Sequence, residues 1–155
     1  MFGKPVSEYL RFQAVFLALI VAVGLVRLGL SLAGLPDSSV RWASMNVPLW
    51  VGTLYCGIAA RLTGFGSYRQ LLPLVFLQLV PFHAVAVLGI LLAIAGVPNI
   101  FAAPEYSPTA EGVGQWAHVL AHLTIGMAVP TLLLWAVAAA AYRITHALAR
   151  RPATA

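Results

Sequence analysis

Four stretches of almost unbroken apolar residues, separated by short groups rich in Gly, Pro and charge, set the frame of this chain. A bilayer core of about 30 Å is crossed by roughly 20 apolar residues of helix, so the pattern predicts four membrane spans. They cover approximately residues 12–33, 42–60, 71–95 and 116–141. The leader, MFGKPVSEYLR, reads as a short amphipathic segment at the interface. Gly34, Pro36 and Asp37 close the first span. The second has an ambiguous start, because Asn46 followed by Val47 and Pro48 is also a helix-opening signal. The third contains Pro73, Gln78, Pro81 and His83, and Pro81 releases the carbonyl of Leu77, which predicts a kink. An outer loop, residues 96–115, precedes the fourth span and holds Glu105 and Glu111.

Small residues recur at four-residue spacing, as Ala14, Ala18 and Ala22 with Gly29 and Ala33 in the first span, and as Gly52, Cys56 and Ala60 in the second. Such ridges let membrane helices approach closely. The fold class expected is therefore an all-α integral membrane four-helix bundle, a single transmembrane domain over 1–155.

Composition strengthens the membrane reading: 61% of residues are hydrophobic and 8% charged, with a mean hydropathy of +0.92, where a soluble domain carries about a quarter charged residues. The formal net charge of +5 does not indicate nucleic acid, because the basic residues sit at the ends of apolar runs. Lys4, Arg11, Arg61, Arg69, Arg143, Arg150 and Arg151 fall on one side and Arg27 and Arg41 on the other. The positive-inside rule then places both termini in the cytoplasm, N-in and C-in, in a membrane expected to be the bacterial inner membrane. No cleavable signal peptide is read from the leader. Cys56, the single cysteine, excludes an intrachain disulfide and any CxxC motif.

The segment Ala60 to Pro81, ARLTGFGSYRQLLPLVFLQLVP, resembles the central pattern of bacterial Yip1-domain membrane proteins: a span, a glycine-rich turn, an aromatic, a basic residue, Gln-Leu, and a helix with a proline. The resemblance covers about a seventh of the chain, and the family pattern usually carries five spans against four here. It implies a small multi-spanning protein without catalytic residues.

Candidate chemistry rests on the histidines. At about 1.5 Å rise per residue, His83 lies roughly 18 Å above the cytoplasmic start of its span. His122, counted from the outer start of the next, is about 21 Å from the same side, and Arg27 about 22 Å. His118 is one turn further out on the face of His122. Imidazoles on facing helices are how haem and metal sites are built in bundles. One reading therefore makes His83 and His122 axial ligands of a haem b, or with His118 the ligands of a transition metal, with Arg27 pairing a propionate or another anion. A quinone or lipid site at the same residues is a further reading. Against these stand plainer roles: His83 bonding a carbonyl or Gln78, His118 exposed to water, Arg27 snorkelling or paired with Asp37, His146 solvated, and Cys56 packed. Trp42, Trp116 and Tyr106 read as interface anchors.

Catalysis finds little footing. All four acidic residues lie outside the spans, and no P-loop, HExxH or nucleophile arrangement is present; in HVLAH, Val119 stands where a general base belongs. The function expected is non-enzymatic: an accessory, anchoring or assembly subunit of a membrane complex, its partners the lipid bilayer and other membrane subunits or further copies of itself. The alternative is a haem-binding or metal-binding redox protein using His83 and His122.

Overall fold

The structure, a computed structural model, describes residues 2–102 and 113–149. The expectations for Glu105, Tyr106, Glu111, Arg150 and Arg151 lie outside them. Seven helices are described: α1 (Val6–Phe12), α2 (Ala14–Leu32), α3 (Asp37–Val40), α4 (Asn46–Leu62), α5 (Tyr68–Ile94), α6 (Val113–Leu123) and α7 (Ile125–Ala149), with a 3-10 turn at Ile100–Ala102. The protein is all-α. Three helical stretches are long and apolar enough to cross a membrane: Ala14–Leu32, Tyr68–Ile94 and Gly114–Ala149. α4, at 17 residues, is about 25 Å long and packs between α2, α5 and α7.

Local chemistry explains the boundaries. Between α2 and α3, Gly34 takes a left-handed φ of +82°, which an L side chain resists. The ambiguous start of the second span resolves at Asn46, so Trp42 belongs to the preceding turn and lies exposed. α5 opens with a capping box: Ser67 accepts from the amide at position 70, and Gln70 accepts from the Ser67 backbone at 2.8 Å. Pro73 and Pro81 lie inside α5, which continues through both. The fourth apolar run is interrupted at Thr124. Pro130, in α7, has no amide to give to the carbonyl four residues earlier, that of Gly126, and its ring crowds that carbonyl. The disruption therefore falls one turn upstream of the proline, at the α6–α7 junction.

α5 is the central element and packs against α1, α2, α4, α6 and α7. α4 and α7 approach closely: a Cβ on Gly57 would clash with the carbonyl oxygen of Ala138 and stand 2.9 Å from the Cβ of Ala141. Chain direction alternates. Tyr142 donates to the carbonyl of Gly66 and Trp135 Nε1 to that of Tyr68, 2.8 Å away. These contacts, with Tyr9 of α1 edge-on to Phe65, gather α1, the end of α4, the start of α5 and the end of α7 at one pole, the terminal pole. At the other, the distal pole, Arg27 pairs with Asp37 at 2.8 Å, and Ser31 accepts from the amide of Ile100.

Candidate histidine cavity

At the distal pole the three histidines meet. Nδ1 of His83 lies 2.7 Å from Nδ1 of His122, and Nε2 of His122 lies 3.2 Å from Nε2 of His118. Two features bring this about. His118 and His122, four apart on α6, share the face turned to α5. The break at Thr124 then separates the orientation of α6 from that of α7.

A cavity of about 230 Å³ opens beside them. Its walls are Arg27 of α2, Ser44 and Met45 of the preceding turn, Asn46 of α4, Phe82 and Ala86 of α5, Ile100 and Phe101 of the 3-10 turn, and His118 and His122 of α6. Phe101 reaches this position over Gly89, where a Cβ would come within 2.6 Å of its ring. The turn is fixed by Asn99 donating to the Gly89 carbonyl at 2.7 Å. Gly24 likewise admits Met45, whose Sδ would lie 2.4 Å from a Cβ there. The cavity thus joins a hydrogen-bonding wall of imidazoles, Asn46 and Ser44 to an apolar wall with two aromatic rings. Arg27 stands at its edge, tied to Asp37.

The depth match of His83, His122 and Arg27 expected from the sequence thus corresponds to real proximity for the two histidines, and places Arg27 on the same cavity as His122. His83 is buried and behind the cavity wall, bonded to His122 and not to Gln78. His118 is half-buried and bonded to His122 rather than simply exposed to water. As arranged, the rings do not flank an iron: axial ligands at about 2 Å from a metal are about 4 Å apart, against 2.7 Å here. Nor do three nitrogens converge on one point, since His122 meets its neighbours through different ring atoms. Among the described residues, no group of three His, Cys, Asp or Glu is placed to hold a metal ion.

A second polar cluster escaped the sequence reading. In the interior on the terminal-pole side of His83, Gln78 Nε2 donates to Gln13 Oε1 at 2.8 Å and contacts Cys56 Sγ at 3.2 Å. Gln13 and Gln78 are 1% and 0% exposed, which makes Cys56 a member of a polar cluster as well as a packing residue. The legible sign of it was a glutamine within each of two apolar stretches, since isolated amides in membrane helices seek one another.

No family model, curated protein or solved structure matches this chain.

Proposed function

We propose that this membrane-embedded helical protein binds a lipid-soluble ring compound with hydrogen-bonding oxygens, of the quinone class, in the distal cavity. The observation that supports this is the pairing, around about 230 Å³, of His118, His122 and Asn46 on one side with Phe82 and Phe101 on the other. Ligand pockets combine mostly apolar walls with a few placed polar groups in this way. The volume suits one ring or two fused rings and is too small for a porphyrin. Ser44 and Asn46 hold the ligand oxygens, His118 and His122 close the same wall with their ring nitrogens joined to one another, Arg27 offers positive charge at the rim, and His83 supports His122 from behind. With α4 taken as a fourth span, the basic residues Lys4, Arg11, Arg61, Arg69 and Arg143 gather at the terminal pole, which the positive-inside rule puts in the cytoplasm. The cavity then faces the outer half of the bilayer.

The test is titration of the purified protein with decylubiquinone and menadione, followed by tryptophan quenching. Saturable binding that weakens about tenfold in Asn46→Ala, the loss of one hydrogen bond worth about 1.4 kcal/mol, supports the reading. No saturable binding of either compound refutes it.

An accessory or assembly role is a second reading, favoured by one observation. The small-residue ridge of α2 points away from the bundle: Ala14, Ala18, Ala22, Gly29 and Ala33 are all exposed, whereas Gly52, Cys56 and Ala60 of α4 are buried within it. An outward ridge suits close approach by another membrane helix, from a larger complex or a second copy. The resemblance to Yip1-domain proteins, which implies no catalysis, agrees with this role.

A further inference from the structure

A second concavity, separate from the distal cavity, lies where α5 and α7 run side by side. It encloses about 530 Å³ between Leu72, Pro73 and Phe76 of α5 and Met127, Ala128 and Leu132 of α7. Phe76, Ala128 and Leu132 are exposed, so the groove opens on the outer surface of the bundle, which in a membrane faces lipid. Two threonines also line it, yet neither offers it a hydroxyl proton. Thr124 Oγ1 donates to the Leu120 carbonyl at 2.7 Å and Thr131 Oγ1 to the Met127 carbonyl at 2.6 Å. The surface presented to a ligand is therefore apolar, and from Leu132 back to Thr124 it runs about 12 Å.

Polarity changes abruptly at the terminal-pole end. Phe2 adjoins the groove there, its carbonyl accepting from Gln70 Nε2 at 3.1 Å. One helical turn beyond stand Arg69 and Trp135, on the faces that build the groove. Arg69 precedes Leu72 and Pro73 by three and four residues on α5, and Trp135 follows Leu132 and Thr131 by the same spacings on α7. Trp135 Nε1 donates to the Tyr68 carbonyl, and the Tyr68 ring packs on that of Tyr142 with centroids 5.0 Å apart. An indole and two phenols at one level mark the headgroup region of a bilayer. Helical side chains lean toward the N-terminus of their own helix, which carries the Arg69 guanidinium from the groove's end toward that region. Arg69 is exposed and makes no ion pair among the described residues.

We propose that this groove binds one acyl chain of an anionic glycerophospholipid, with the headgroup phosphate on Arg69. The occupant follows from the order of chemistry along the two helices. A phospholipid presents an apolar chain and then a negative headgroup, in the sequence in which α5 and α7 present an apolar trough and then an unbalanced cation. A partner helix would have to bring an acidic residue to that one level. The anionic class is favoured over the zwitterionic because no described carboxylate is left to receive a choline or ethanolamine cation: Glu8 is taken by Lys4, and Asp37 lies at the distal pole with Arg27. The proposal is independent of the quinone reading, since the two cavities share no lining residue.

Native mass spectrometry of the detergent-purified protein, with palmitoyl-oleoyl phosphatidylglycerol or phosphatidylcholine added, tests it. The native chain is expected to take up a first phosphatidylglycerol about fivefold more tightly than a first phosphatidylcholine, the effect of one basic residue on an anionic lipid. Arg69→Gln is expected to bring the two affinities together, and Arg11→Gln, at the same pole on α1, to leave the preference in place. Ala128→Phe fills the trough and is expected to abolish the first, tight uptake of either lipid. Leu132→Trp, a second filling change at an exposed position, is expected to do the same. First uptake unchanged in both filling variants overturns the proposal, as does a preference for phosphatidylglycerol that is absent from the native chain or survives Arg69→Gln. A dimer mass that the filling variants abolish would show a second copy in the groove, and overturns it equally.

Discussion

Nδ1 of His83 and Nδ1 of His122 are 2.7 Å apart on different helices, so one ring must donate and the other accept. Removing either leaves a buried nitrogen without its partner, at a cost of about 1–3 kcal/mol. His122→Ala is expected to lower the thermal unfolding midpoint measured by circular dichroism in detergent. His118→Ala, at the more open end, is expected to lower it less. Equal midpoints for native protein and His122→Ala would mean that the pair contributes nothing to stability.

The amide cluster makes a different demand. Gln78 Nε2 serves both Gln13 and Cys56, so Gln78→Leu leaves the Gln13 carbonyl with only the weak Cys56 S–H donor, 3.5 Å away, and is expected to cost about 1–3 kcal/mol. Gln13→Leu combined with Gln78→Leu removes both polar groups, and should recover part of that loss. A double-mutant cycle on the same unfolding signal measures the recovery; strict additivity would show that the two amides act independently.

Two glycines should respond oppositely to the same change. Gly57→Ala puts a methyl against the backbone of Ala138 and forces α4 from α7, an overpacking expected to cost about 1–3 kcal/mol. Gly29→Ala meets nothing within 4 Å and gains helix propensity, up to about 1 kcal/mol. Melting curves of the two variants, one below and one above the native protein, are the expected result.

The α2 ridge is tested by size rather than stability. Ala18→Leu is expected to shift the species seen by light scattering toward the monomer, or to lose co-purifying membrane proteins, at an unchanged melting point. Gly52→Leu is expected to destabilise the chain itself. A Cβ at Gly52 would already lie 2.9 Å from the ring of Phe16 and 3.0 Å from Gln78, so this glycine serves internal packing rather than association.

Much of the histidine site was legible, because depth along a membrane helix follows from counting residues. That arithmetic aligned His83, His122 and Arg27, and the spacing of His118 and His122 put them on one face. The contact of Arg27 with Asp37 was among the expected alternatives and is present. The cavity was not legible, since Ser44, Met45 and Phe101 come to it from turns whose path no periodicity describes.

The sequence by itself determined an all-helical protein of the membrane, the approximate limits of its apolar helices and the level of each polar residue along them. It did so because apolar length and composition respond to the bilayer alone. Which way each helix faces was decided by tertiary structure. In lipid the outer surface is as apolar as the core, so hydrophobic periodicity loses its power to tell inside from outside. The direction is set instead by close contacts: Gly57 against Ala138, Gln78 against Gln13, and His83 against His122.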